Sequence, residues 1–330
     1  MKFKFLLLIL CCSLNLTSEN RTVVHEGLER EYIVHVPSNI NQDSPLVVVI
    51  HGFTSSAEII MKYSDMNDIA NREGFIAVYP QGTVGSDGNT FFNVGYDFHS
   101  DSNVNDVSFI RYLVNSLTQE FNLKRQKAFA TGMSNGGDMA YLLACTSSDL
   151  FEAVASVTGV MMKQTMDNCK LDNPVPIFEI HGTADDISFF DGDINNSTGW
   201  GAYYGLPETI DFFVEKYQLA QKSEELILSK DEGASNDIFF ERYWTEGVET
   251  EVWMYRIEGG GHIWPGAGVK LTWLNNPILR YYFGSGENEI SASEAVWMFF
   301  KKYLLLSYSS SSHSNFGKVW IASVSFFAQV

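Results

Sequence analysis

Three residue types that together activate a hydroxyl occur in this chain in a workable order. Ser134 sits in Gly132-Met133-Ser134-Asn135-Gly136. A serine hydroxyl is a weak nucleophile until a positioned base takes its proton. The G-x-S-x-G pattern supplies the steric part: flanking glycines let a strand turn sharply into a helix, so the hydroxyl stands clear at the end of a sheet. The context fits, because residues 127–131 read as a strand and residues 138–145 as a helix. In this arrangement the acid follows the serine and the histidine follows the acid. Of seven histidines, only His181, His262 and His313 come after Ser134. His313 lies in a serine-rich stretch, and His181 leaves no room for an intervening acid segment. His262 lies in Gly259-Gly260-Gly261-His262-Ile263-Trp264-Pro265-Gly266, where three glycines free the backbone. The acid belongs just after the strand at 177–180, in His181-Gly182-Thr183-Ala184-Asp185-Asp186. Either Asp185 or Asp186 serves there, holding the imidazole tautomer and stabilising imidazolium. Oxyanion donors are expected from the backbone N–H of Asn135, after the serine, and from the loop His51-Gly52-Phe53-Thr54, with Phe53 preferred over Thr54. His51 itself is expected to pack that loop.

Elements able to carry such a site recur along the chain. Residues 46–50 are continuously aliphatic, as in a strand buried on both faces. Residues 31–36, 75–79, 153–157 and 252–257 also read as strands. Val107, Ile110, Val114, Leu117 and Phe121 recur at steps of three and four, which predicts an amphipathic helix. Ile210, Phe213, Val214 and Tyr217 predict a second. Ser291 and Glu294 form a capping-box pattern ahead of Val296, Phe299, Phe300 and Tyr303. Alternating strands and helices predict an α/β fold with a mostly parallel central sheet and helices on both faces. Residues 83–105 and 191–205 are expected to be loops shaping a cleft.

At 330 residues, with 45% hydrophobic and 19% charged content, the chain reads as one large domain. The formal net charge of −18 disfavours nucleic acid and anionic membrane surfaces as partners. Residues 1–18 are predicted to be a signal peptide: Met1-Lys2-Phe3-Lys4 is basic, and the apolar run that follows is too short to cross a bilayer. No later membrane segment is expected, which points to a secreted or periplasmic protein. Residues 19–304 would form the catalytic domain, and 305–330 a serine-rich linker and tail of unassigned role. Removal of Cys11 and Cys12 leaves Cys145 and Cys169, which can pair in an oxidising compartment. Metal binding is not expected, since neither CxxC nor HxxxH spacing occurs.

The segments HGFTSSAE, YPQGT, DVSFIRYLV, TGMSNGGDMAYLLAC, HGTADD and GGGHIWPG, spread between about residues 35 and 303, resemble the polyhydroxybutyrate depolymerase and feruloyl esterase family. That resemblance implies an α/β-hydrolase fold, with Ser134 as nucleophile, His262 as base, and Asp185 rather than Asp186 as acid. It also implies a Cys145–Cys169 disulfide, Trp264 lining the substrate cleft, and a substrate-facing segment at Phe92-Asn93. Phe92 stands where the family usually has Trp. The implied activity is cofactor-free hydrolysis of an ester through an acyl-enzyme. Its substrate would be a feruloyl or acetyl polysaccharide ester or a short hydroxyalkanoate polyester. The alternatives are acyl transfer to an alcohol by the same residues, or a non-catalytic polymer-binding protein of the same fold.

Overall fold

The structure, a computed structural model, describes residues 17–171, 173–234, 236–267 and 290–311. Most of the expected signal peptide and the end of the expected tail lie outside the described residues.

Fourteen strands and seven α-helices are described. The strands are β1 (Thr17–His25), β2 (Leu28–Val36), β3 (Leu46–Ile50), β4 (Ile76–Pro80), β5 (Thr83–Val84), β6 (Thr90–Phe91), β7 (Ala128–Met133), β8 (Phe151–Val157), β9 (Ile177–Gly182), β10 (Gly192–Asp193), β11 (Tyr203–Tyr204), β12 (Gln221–Leu228), β13 (Ile238–Trp244) and β14 (Val252–Ile257). The helices are α1 (Ala57–Tyr63), α2 (Met66–Glu73), α3 (Asp106–Glu120), α4 (Asn135–Thr146), α5 (Lys163–Asp167), α6 (Leu206–Tyr217) and α7 (Ala292–Ser311). Ten strands form one sheet in the order β1-β2-β4-β3-β7-β8-β9-β14-β13-β12. Its centre, β4 to β14, is parallel. Both flanks are antiparallel, β1 and β2 on one side and β13 and β12 on the other. This is the mostly parallel α/β sheet that the alternating pattern predicts.

Strand periodicity divides the core into two layers. Val48, Ile50, Ala130, Val154 and Ile177 face α3, α4 and α6. Val47, Val49, Phe129, Ala155 and Phe178 face α1, α2 and α7. The central strands are buried along their whole length, which explains their unbroken aliphatic runs. Between β2 and α3, Arg30 and Asp106 form a buried ion pair at 2.5 Å. Asp106 also accepts the Asn93 N–H at 2.7 Å, tying the loop over the site to the sheet.

Four features depart from the sequence expectations. β1, β12 and β13 lie on the flanks, where polar and charged side chains face water and hide the apolar signal. β1 starts at Thr17, two residues inside the stretch expected to be a signal peptide. Helix α7 continues to Ser311, into the expected linker; serine lowers helix propensity only modestly, so a packed helix can run through it. The Ser291 cap accepts the Glu294 N–H at 3.3 Å, but the Glu294 carboxylate turns to Arg72 on α2 at 2.7 Å rather than completing a reciprocal box. Cys145 at the end of α4 and Cys169 beyond α5 form a disulfide spanning 24 residues.

Candidate active site

Every expected site segment leaves the C-terminal edge of the parallel strands, where open α/β sheets form their clefts. Ser134 follows β7 with φ 55° and ψ −123°, a strained conformation for a non-glycine residue. The turn is tight because backbone crowds it. A Cβ on Gly132 would stand 2.4 Å from the Gly136 carbonyl oxygen, and one on Gly136 would stand 2.2 Å from the Ile50 carbonyl oxygen. Only hydrogen fits at either place, so β3, β7 and the start of α4 meet beneath the serine.

Ser134 borders a narrow cleft lined by Tyr96, Asp138, Met162, Ser188, Trp200 and Tyr203 among others. Tyr96 comes from the 83–105 loop, and Trp200 and Tyr203 come from the 191–205 loop. The Asp97 N–H donates to the Trp200 carbonyl at 3.0 Å, joining the two loops at the rim. Phe53 and Trp200 meet edge to face at 5.3 Å.

The first residue of α4, Asn135, has no intrahelical acceptor for its N–H. Its side chain is fully buried and clamps the neighbouring loop: Oδ1 accepts the Phe92 N–H at 2.7 Å, and Nδ2 donates to the Phe92 carbonyl at 3.0 Å. In the loop after β3, the Thr54 N–H donates to the Thr90 carbonyl at 2.8 Å. The Phe53 N–H has no acceptor among the described residues, which makes it the donor still available. His51 is fully buried; its Nε2 accepts the Gly82 N–H at 2.9 Å. Burial lowers its pKa to about 4, so it stands neutral as part of the loop's framework.

Asp185 and His262 are brought together: His262 Nδ1 donates to Asp185 Oδ2 at 2.8 Å. The other carboxylate oxygen accepts the N–H groups of Ile187 and Ser188 at 2.9 and 2.8 Å. Burial opposes ionisation of Asp185, but hydrogen bonds from His181 and His262 outweigh it and hold this carboxyl well below the usual range. Asp186, one residue on, is exposed. The Ser134 hydroxyl and the His262 ring are not hydrogen-bonded to each other. Such contacts are often long without substrate and tighten when it binds.

Three expected substrate contacts sit elsewhere. Trp264 is 2% exposed in the α1/α2/α7 layer, its N–H donating to the Tyr63 hydroxyl and its Nε1 to Ser293 Oγ, each at 2.9 Å. Phe92 is fully buried against His51. Asn93 donates to the carbonyls of Ser102 and Val104. These three build the scaffold, and Tyr96, Trp200 and Tyr203 form the aromatic wall instead. No group of three or more His, Cys, Asp or Glu among the described residues is arranged to hold a metal ion.

Sequence reasoning passed over the groups behind Asp185. Glu179 and His181, both fully buried, lie on β9 with Glu179 Oε1 3.0 Å from His181 Nδ1. His181 Nε2 lies 2.8 Å from the Ser188 carbonyl and 3.3 Å from Asp185 Oδ2. Two ionisable residues at i and i+2 on one face of a buried strand were the available signal. Asp138 on α4 is also buried, accepting the Tyr96 hydroxyl at 2.6 Å and the Val160 N–H at 2.7 Å. Its burial raises it to about 7 despite those bonds.

Sheet order, helix layers and a strand-to-helix serine elbow together define an α/β-hydrolase fold. Residues 31–199 match the sequence model of the esterase PHB depolymerase family. The chain belongs to that family. It is 28% identical over 261 residues to a protein of Nocardia uniformis subsp. tsuyamanensis named as an esterase, NocK, covering 76% of this chain and 75% of that one. It is 27% identical over 169 residues to feruloyl esterase D of Neurospora crassa, covering 49% and 55%. It is 29% identical over 125 residues to poly(3-hydroxyalkanoate) depolymerase C of Paucimonas lemoignei, covering 38% and 30%. The chain thus spans about half the length of the Neurospora protein and under a third of the depolymerase. In three dimensions it resembles an acetyl xylan esterase from Aspergillus awamori, with a TM-score of 0.53 at 16% identity over 74% of this chain and 94% of that one.

Proposed function

We propose that this protein is a serine carboxylic-ester hydrolase in which Ser134, His262 and Asp185 act in turn as nucleophile, base and orienting acid. The observation that carries the reading is the Asp185–His262 bond at 2.8 Å beside a strained serine elbow at the same sheet edge. Asp185 fixes the tautomer, so the His262 Nε2 lone pair is free to take the hydroxyl proton. The hydroxyl oxygen attacks the ester carbonyl, and the resulting alkoxide is held by the N–H groups of Phe53 and Asn135. Proton return from His262 expels the alcohol. A water activated by the same ring then releases the acid from Ser134.

The confined cleft beside Ser134, walled by Tyr96, Trp200 and Tyr203, supports a compact acyl group. Relatives named as feruloyl esterase, acetyl xylan esterase and poly(3-hydroxyalkanoate) depolymerase support a substrate among feruloyl or acetyl polysaccharide esters and hydroxyalkanoate esters. Transfer of the acyl group to an alcohol would use the same residues, and product analysis with an added acceptor separates the two outcomes. We further read the fold from β1 to α7 as the catalytic domain and the segment ahead of β1 as an export signal, which the disulfide supports. No described helix is long and apolar enough to cross a membrane.

The test is Ser134→Ala. Hydrolysis of p-nitrophenyl acetate should fall by roughly 10⁶ if the serine is the nucleophile, and fluorophosphonate labelling should vanish. Unchanged turnover would remove the reading.

A further inference from the structure

Behind the Asp185–His262 pair, the buried groups continue as a line into the sheet. His181 Nε2 faces the Ser188 carbonyl, which can only accept, so that nitrogen carries a hydrogen. His181 Nδ1 faces Glu179 Oε1 at 3.0 Å. The second Glu179 oxygen accepts the Tyr141 hydroxyl at 2.7 Å, which favours the carboxylate form. The proton shared between Glu179 and His181 therefore belongs on the ring. All these side chains are 0% exposed, so water supplies no compensation.

We propose that Glu179 and His181 are positioning residues: His181 stands as an imidazolium between two carboxylates and fixes Asp185 Oδ2 toward His262. This rests on the esterase reading for its consequence in catalysis, although the protonation of His181 does not. Without a cation at position 181, Asp185 would be a buried carboxylate whose charge is opposed only by His262, with its rotamer held by the His262 Nδ1–H and the two loop N–H groups. Burial raises the Glu179 carboxyl and works against its ionisation, and the bonds it accepts from His181 and Tyr141 oppose that rise. Burial pulls His181 toward neutrality, but its hydrogen bonds to Asp185 and Glu179, with their charges, outweigh it and raise the ring to about 10. The other titratable groups facing this line are Asp138 and Tyr141 from α4, Tyr203 from β11 and His262 itself. The nearest arginine on the adjacent strand, Arg256, is engaged by Glu241 at 2.9 Å.

The first measurement needs no variant: ring ¹⁵N shifts of His181 in the intact protein. Both nitrogens should remain protonated from pH 6 through 8.5. One deprotonated nitrogen at pH 7 overturns the proposal. In Glu179→Gln the ring should lose one proton near neutrality, leaving the Asp185 charge uncompensated. The His262 imidazolium is then favoured, so the acid limb of kcat/KM should move up by about half to one pH unit. At pH 6 kcat/KM should fall by about threefold to tenfold, with recovery toward pH 9. A purely structural Glu179 predicts a loss equal at all pH values, and a downward shift means that His181 keeps its proton without Glu179; either result overturns the proposal. If Glu179→Gln does not fold, Tyr141→Phe provides the second test, lowering the pH at which His181 deprotonates; no change there counts against the carboxylate assignment. Failure of Ser134→Ala to abolish turnover would leave the ring measurement untouched, so the two readings fail separately.

Discussion

Adjacent aspartates give the sharpest contrast among single side chains. Asp185 is 5% exposed and bonded to His262, and Asp186 next to it faces solvent. Asp185→Asn keeps the shape but offers His262 Nδ1 an amide that can turn either way, so the wrong tautomer becomes accessible. Turnover of p-nitrophenyl acetate should fall by about 10⁴ on the precedent of such replacements, with KM nearly unchanged. Asp186→Asn should stay within about twofold, the ordinary range for a surface change. Comparable losses in both variants would show that the carboxylate acts through general electrostatics rather than through the imidazole. The sequence alone left these two residues unseparated, because both follow the same strand and both suit a turn. What separates them is which Oδ meets the ring, and that depends on β14 delivering His262 from 77 residues away. The serine elbow was legible because its demands are local. The line from Glu179 to Asp185 was not, because it depends on side chains crossing between β9, α4 and a loop.

Helices and strands were legible where burial imposes one period. The strand at 46–50 was readable to the residue from its unbroken aliphatic run, and α3 from its three-and-four spacing. β12 was not, since six successive side chains from Gln221 are exposed and charges dominate. Trp264 shows the limit of reading position from a motif: it adjoins His262 in sequence, yet the turn drives its ring into the layer beneath α7. The disulfide belongs to this level too, pinning the end of α4 to the segment after α5. On the chain-entropy account a loop of this length contributes roughly 3–4 kcal/mol. A Cys145→Ala/Cys169→Ala double variant should therefore lower the unfolding free energy by about that amount and move the urea midpoint down by that energy divided by the slope. Esterase turnover in native buffer should hold, because Ser134 opens the helix that Cys145 closes and its elbow is fixed by β3 and β7. A wild-type midpoint that ignores added reductant would show that the bridge carries little of the stability.

Across the molecule, buried and paired ionisable groups pull stability in opposite directions as pH changes. Burial works against ionised Glu73, but Lys301 and Arg72 outweigh it and lower it to about 2, fastening α2 to α7. Glu241 and Glu251 are lowered in the same way: burial opposes, and Lys222 and Arg256, or Arg242 and Lys302, prevail. Folded-state values below the ordinary 4.5 mean stability that is present above that value and lost as acid titrates the pairs. His181 runs the other way. Its folded value of about 10 exceeds the ordinary 6.5, so its contribution is complete below 6.5 and drains away toward pH 10. Asp138 adds a loss with rising pH that is complete by about neutrality: raised by burial from 3.8 to about 7, it favours the folded chain only while protonated, and this preference fades across that interval. The formal charge of −18 at pH 7 adds self-repulsion in the same direction. The melting temperature should therefore peak between about pH 5 and 6.5 and decline on both sides. Scanning calorimetry at constant ionic strength measures this directly. Glu179→Gln should flatten the decline above pH 6.5 by removing the carboxylate that holds the His181 proton, whereas Asp138→Asn should flatten the slope below pH 7. A melting temperature still rising at pH 9 would mean that the buried line from Glu179 to Asp185 contributes nothing through its protons. Its place behind the site would then be a matter of packing alone.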